Sequence, residues 1–186
     1  MKSDWRVYGK KADFKRLADK YSIDQVIARI IRNRDICGDS DIDMYLNGDI
    51  KDMHDPKDMK DAVVSVDIIE KKIKEKCRIR IIGDYDIDGI CSIYILYKGL
   101  LAAGADVDYV VPHRINDGYG INEHLIDNAL SDGIDTIITC DNGISAYSQV
   151  KYAKDNGMTV IVTDHHDVPF DMIDGEKKYC IPPADA

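Results

Sequence analysis

Residues 78–89 read Arg78-Ile79-Arg80-Ile81-Ile82-Gly83-Asp84-Tyr85-Asp86-Ile87-Asp88-Gly89, or RIRIIGDYDIDG, and this stretch decides the fold. RIRII (78–82) is short, β-branched and largely apolar, as a buried strand is. It stops abruptly at a Gly-flanked acidic segment, GDYDIDG (83–89), and a helical pattern follows over about 90–103. The same sequence of events then repeats. DVDYVV (106–111) is a second strand, followed by a helix over 122–131. DTIITC (135–140) is a third, followed by a helix over 145–155, and MTVIVT (158–163) is a fourth. Gly104, Gly133 and Gly157 fall where helix C-caps belong.

Strands alternating with helices predict βαβ crossovers and a parallel sheet. The expected class is α/β, a Rossmann-like parallel sheet flanked by helices over 76–186. A helical N-terminal region precedes it over 1–75. There Ile23, Val26, Ile27, Ile30 and Ile31 make one apolar helix face, with a capping box expected from Ser22 to Gln25. A second helix is expected over 58–75, with Ala62, Val66, Ile69 and Ile73 on one side. The acidic stretch GDSDIDMYLNGDIKDMHDP between them reads as a short helix and loops.

Composition narrows the function. The chain has 186 residues and a formal charge of −9, so a protein that coats nucleic acid by charge alone is disfavoured. A metal-dependent nuclease is compatible, because bound cations invert the local field. The five cysteines (37, 77, 91, 140 and 180) include no CxxC spacing, which disfavours structural zinc and a disulfide framework. They read as reduced thiols packed mostly as small apolar residues in a cytoplasmic protein. No apolar run approaches the ~18 residues of a membrane span, and no signal-peptide pattern opens the sequence.

Ligands of open α/β sheets bind beyond the carboxyl ends of the strands. All four strands here end in polar segments: GDYDIDG (83–89), PHRINDGYG (112–120), DNGIS (141–145) and DHH (164–166). Four such segments at one edge predict a single site. Asp84, Asp86 and Asp88 alternate, so an extended loop would turn all three to a similar side. Two carboxylates ~5 Å apart repel by roughly 3 kcal/mol at an effective dielectric of ~20. Such crowding calls for a cation, and Asp86→Asn is expected to relieve it in the metal-free fold. An EF-hand is a poor fit, since Ile95 stands where the Glu would be.

Carboxylates with a minority of histidine suit Mn²⁺, with Mg²⁺ as the alternative. Asp84, Asp86, Asp88, Asp141 and His165 are the expected ligands, a set suited to two ions ~4 Å apart, as in two-metal phosphoester hydrolysis. Asp164, His165 and His166 are the expected catalytic triplet, one histidine positioning or protonating the scissile group. Arg114 suits a phosphate oxygen, with His113 beside it. Gly118 and Gly120 would let backbone approach a ligand, and Asn142 joins the expected substrate contacts. Tyr119 reads equally as a base-stacking or a packed aromatic. The sequence contains no P-loop, GxGxxG or nucleophile elbow.

As a set, IIGDYDIDG, PHRINDGYG, CDNGIS and VTDHH resemble the DHH phosphoesterase superfamily, and its RecJ-type single-strand-specific exonucleases in particular. NRDI and MYLNGDIKDMHDP extend the likeness into the N-terminal region. The resemblance implies Mn²⁺- or Mg²⁺-dependent degradation of single-stranded DNA from its 5′ end to 5′-mononucleotides, in repair and recombination, with a helicase or single-strand-binding protein as partner. It implies that Asp84, Asp86 and Asp88 form the first metal motif, that Asp141 bridges and that Arg114 with the GYG turn lies near substrate. Many relatives carry a histidine four residues before the middle aspartate. Ile82 stands there, and Asp84 is expected to substitute. Relatives continue well past the DHH triplet to another metal-binding aspartate and a substrate-binding domain, so the chain is expected to be an N-terminal fragment with little activity of its own. Two alternatives stand beside this: a DHH-type hydrolase of small phosphates, and a non-catalytic DHH-like binding module.

Overall fold

The computed structural model describes residue 4 and residues 9–186. The chain divides into two compact units between Asp55 and Pro56. The first holds three helices, α1 (Phe14–Tyr21), α2 (Gln25–Asn33) and α3 (Asp39–Asn47), and a 3₁₀ turn at Ile50–Asp52. Leu17, Ala28, Ile31 and Ile42 form its core. The capping box expected at Ser22 is not what starts α2. Ser22 terminates α1 in a left-handed conformation (φ 53°), and Asp24 caps α2 by accepting the Val26 amide at 2.7 Å. An aspartate one residue before the first turn reaches that amide, which a serine three residues before it cannot.

The second unit carries α4 (Ala62–Lys74), β1 (Arg78–Ile82), α5 (Ile87–Ala102), β2 (Asp106–Val110), α6 (Glu123–Ser131), β3 (Thr136–Cys140), α7 (Tyr147–Asp155) and β4 (Thr159–Thr163). A hairpin, β5 (Phe170–Ile173) and β6 (Glu176–Tyr179), follows. The four long-range strands form one parallel sheet in the order β2-β1-β3-β4. The expected α/β architecture is therefore present, and α4 groups with the sheet instead of ending the N-terminal helical region at 75. Its Ile68, Ile69 and Ile73 pack on the sheet, while Val66, expected on the same side, is exposed.

Strand alternation sorts the core into two layers. Ile79, Ile81, Ile138, Cys140 and Ile161 face Ile93 and Leu100 of α5. Ile82, Ile137 and Val160 face Leu125, Ile126 and Ala129 of α6 and Val150 and Ala153 of α7. Among the described residues Arg80 is the one charge buried within a strand. It is held by paired 2.7 Å bonds to Asp108 and a 2.9 Å bond to Asp132, so its desolvation is offset by charge-assisted hydrogen bonds. Of the five thiols only Cys140 is buried, and burial pushes its pKa up to about 12. Cys37 and Cys91 are exposed, against the expectation of packed cysteines.

From β1 the chain crosses by α5 to β2 on one side, and from β2 it returns by α6 to β3 on the other. The crevice between the carboxyl ends of β1 and β3 is therefore the topological switch point, where such sheets bind ligands. Among the described residues no helix is long and apolar enough to cross a membrane.

Candidate metal centre

The segment after β1 does not stay extended. Asp86 becomes the N-cap of α5, its Oδ1 accepting the Asp88 and Gly89 amides at 3.0 Å each. The Gly89 amide is the main reason the Asp86 carboxyl titrates below the usual range, as expected at a helix N-terminus. Asp88 is consequently turned into the first helical turn. It belongs to neither ligand group described below, but lines one cavity with Asp141, Asp164 and His165. Gly89 is required where it is. A Cβ there would sit 2.7 Å from the Asp84 backbone, too close for α5 to start so near the strand.

Asp84 is buried, and its Oδ1 has no hydrogen-bond partner. Ile82, by contrast, is wholly within the core, so the carboxylate at this corner comes from Asp84. Asp141 follows β3 in a left-handed conformation (φ 59°) and is anchored by its amide to the Thr163 carbonyl at 3.1 Å. Burial first, and Asp86 second, push its pKa up.

Two groups of potential metal ligands result. Asp84, Asp86 and Asp141 offer oxygens that all lie within 4.8 Å of one another, and so do ligand atoms of Asp141, His165 and His166. Asp141 is common to both, with Oδ1 at 3.1 Å from His165 Nε2. Asp164 stands behind them. Its Oδ2 accepts the Ile144 amide at 3.0 Å, and its Oδ1 lies 2.7 Å from His166 Nδ1. Burial opposes its ionisation, yet the Ile144 amide and His166 outweigh it, so its pKa is lowered. In return Asp164 raises the pKa of His166. Asp164 is thus a positioning residue, fixing the imidazole by Nδ1 and leaving Nε2 free of that bond.

Tyr119 closes one side. Its hydroxyl donates to the Asp141 carbonyl at 3.0 Å and sits 3.5 Å from His166 Nε2. Burial, then the neighbouring carboxylates, push its pKa up to about 12, so it stays a phenol donor. Arg114 lies 5.0 Å above the Tyr85 ring, which meets Tyr119 edge-on at 6.5 Å. Tyr85 was not among the expected site residues, since an aromatic between two acidic positions carries no spacing signal. Among the described residues Arg114 makes no ion pair, which leaves its charge for an anion.

Four expected substrate contacts have structural roles in the fold. Asn142 is buried and fully committed. Its Nδ2 donates to the Ile82 and Cys140 carbonyls at 3.0 and 2.9 Å, and its Oδ1 accepts the Ile121 amide at 3.1 Å. Gly120 (φ 67°) makes room for this amide, since a Cβ would fall 3.0 Å from the Asn142 Cβ. His113 closes its own loop, with Nδ1 accepting from Ile115 and Asn116. Gly118 (φ 77°) has open space around it and serves the turn conformation.

The donor set fits a hard divalent cation. It consists of carboxylate oxygens with one or two imidazoles, and it includes a buried oxygen that lacks any other partner, an arrangement costly without a cation.

Residues 78–185 match the DHH family, N-terminal domain. Over 167 residues the chain is 33% identical to a single-stranded-DNA-specific exonuclease RecJ of Bacillus subtilis (strain 168), covering 89% of this chain and 21% of that protein. Over 103 residues it is 43% identical to the protein of the same name from Salmonella typhimurium, covering 55% of this chain and 18% of that one. A crystal structure of exonuclease RecJ bound to manganese superposes with a TM-score of 0.56 at 35% identity, covering 65% of this chain and 29% of that one. The chain thus spans about a fifth of the length of these curated relatives. With the family match running from the first residue of β1 to the end of the chain's last segment, and the strand-end aspartates and histidines gathered at the switch point, the chain belongs to the DHH family.

Proposed function

We propose that this site is the catalytic centre of a metal-dependent exonuclease that degrades single-stranded DNA from the 5′ end to 5′-mononucleotides. The observation that carries the reading is the shared carboxylate. Asp141 belongs to both ligand groups, the arrangement expected of a bridge between two ions. The relatives named for single-strand-specific exonuclease activity, and the manganese bound to the superposed structure, support it.

Asp84, Asp86 and Asp141 would hold one Mn²⁺, and Asp141 with His165 and His166 the other; Mg²⁺ suits the same oxygens. When bound, the ions supply a hydroxide-like nucleophile and neutralise the phosphate. The chain's own residues do the rest. Arg114, lying on Tyr85 and without an ion pair among the described residues, takes a non-bridging phosphate oxygen. Asp164 holds His166 by Nδ1, so Nε2 would be the nitrogen offered to the metal. The Tyr119 hydroxyl, kept protonated, fixes the Asp141 backbone from which the bridging carboxylate hangs. The cytoplasm is the setting proposed, where exposed Cys37 and Cys91 stay reduced.

The test is release of mononucleotides from a 5′-phosphorylated single strand by the purified protein with Mn²⁺ and with EDTA. Metal-dependent release from the single strand, and little from a blunt duplex, is expected. Equal attack on duplex ends, or turnover confined to dinucleotides and pyrophosphate, would overturn the reading.

A further inference from the structure

The hairpin that follows the DHH triplet is absorbed by none of the chemistry above. Asp174 and Gly175, both at positive φ (53° and 82°), join β5 to β6 in a tight turn. The register pairs Phe170 with Tyr179, Asp171 with Lys178, Met172 with Lys177 and Ile173 with Glu176. Directly opposed residues share a face, so Phe170, Met172, Lys177 and Tyr179 lie on one side and Asp171, Ile173, Glu176 and Lys178 on the other. Every carboxylate of the two strands is on the second face. The first is aromatic, apolar and cationic.

That first face is open to solvent. Phe170, Met172 and Tyr179 are 43%, 61% and 54% exposed. Phe170 and Tyr179 meet edge-on at 5.8 Å, and the Lys177 ammonium rests 4.2 Å from the Phe170 ring centre. An exposed cation–π contact is weak, so the lysine leaves the ring readily for a phosphate. Phe170 follows His166 by four residues, so their Cα atoms are at most ~14 Å apart. In a chain of net charge −9, an exposed aromatic face with a cation and no carboxylate, tethered this close to a phosphodiester-cleaving centre, suits a polyanion that offers flat rings.

We propose that the Phe170–Lys177–Tyr179 face of the β5–β6 hairpin is a stacking platform for single-stranded nucleic acid, holding bases of the strand whose end lies at the metal centre. The proposal rests on the exonuclease reading. Phe170 and Tyr179 stack on bases without regard to sequence, and Lys177 pairs with the backbone between them.

Fluorescence anisotropy with a 5′-phosphorylated, 3′-labelled oligothymidylate tests it, with Ca²⁺ replacing Mn²⁺ to suppress cleavage. Phe170→Ala and Tyr179→Ala should each weaken binding roughly tenfold. Lys177→Gln should flatten the dependence of log affinity on log salt by about 0.7. Ile173→Ala, on the opposite face of the same hairpin, should bind as the unaltered chain does. If the unaltered chain binds the strand and the Phe170 and Tyr179 variants stay within twofold of it, the platform is wrong and the exonuclease reading stands. A loss in Ile173→Ala equal to that in Phe170→Ala would also overturn it, showing a scaffold and not a face. If the unaltered chain shows no preference for single strand over duplex, the exonuclease reading fails and the platform fails with it.

Discussion

Asn142 Nδ2 donates to the carbonyl of Ile82 across 3.0 Å, sixty residues away in sequence, and so ties the end of β3 to the end of β1. The two halves of the metal centre hang from those two strand ends, Asp84 and Asp86 from one and Asp141 from the other. The same side chain holds the Ile121 amide and with it the turn that carries Tyr119.

Asn142→Ala would leave three buried backbone groups unpaired. At about 1–3 kcal/mol for each unsatisfied group, a loss of roughly 3 kcal/mol is expected. A lower urea midpoint at unchanged m-value checks it, and an unchanged midpoint would mean that water replaces the amide.

Metal binding should separate Asp84 and Asp141 from Asp88. At a hundred times its dissociation constant, Mn²⁺ stabilises a fold by about 2.7 kcal/mol, several degrees in Tm. Asp84→Asn and Asp141→Asn should abolish that shift, because both residues lie in the ligand groups. Asp88→Asn should retain most of it. Loss of the shift in Asp88→Asn would return that residue to the ligand set.

In the metal-free protein, Asp141 and Asp86 should behave oppositely. Burial and Asp86 raise the Asp141 pKa above its ordinary 3.8, so the fold loses stability as pH climbs from 3.8 through the raised value. Asp141→Asn, which also tolerates the left-handed backbone, should melt higher than the unaltered chain in EDTA at pH 7. Asp86 is lowered by the amides it caps, so its charged form supports the fold at neutral pH, and that support fades only as pH falls through the lowered value. Asp86→Asn should therefore not stabilise, contrary to the expectation from charge crowding alone. Thermal melts of both variants in EDTA decide this.

Lys72 of α4 reaches Asp135, just before β3, at 2.6 Å, and Thr136 Oγ1 donates to the same carboxylate at 2.6 Å. Burial works against ionisation of Asp135, but Lys72 and Thr136 prevail and its pKa lies below 3.8. The pair's contribution is present above 3.8 and is lost as pH falls through the lowered value. Lys72→Met should cost about 1 kcal/mol or less at pH 7, since Asp135 is partly exposed, and should remove that share of the acid dependence. Faster amide exchange along α4 would show that the ion pair secures the helix.

The sheet was legible because its signals are local. All four strands of the sheet lie within a residue of the runs read for them, and the glycines at 104, 133 and 157 do cap helices at positive φ. The hairpin was equally legible and went unread: Asp174-Gly175 between FDMI and EKKY is a strong turn signal. The start of α2 was misplaced because capping depends on which side chain reaches an amide, which composition does not reveal.

The sequence by itself determined the alternation of strand and helix, and therefore which edge of the sheet would collect the aspartates and histidines, because periodicity and strand ends are properties of short segments. Only the tertiary structure decided the membership of the site. Asp86 was drawn into capping α5, Asn142 was drawn from substrate contact into the joint between β1 and β3, and Tyr85 entered beneath Arg114. Each outcome turns on hydrogen bonds and contacts between segments far apart in the chain, and spacing along one segment carries no record of them.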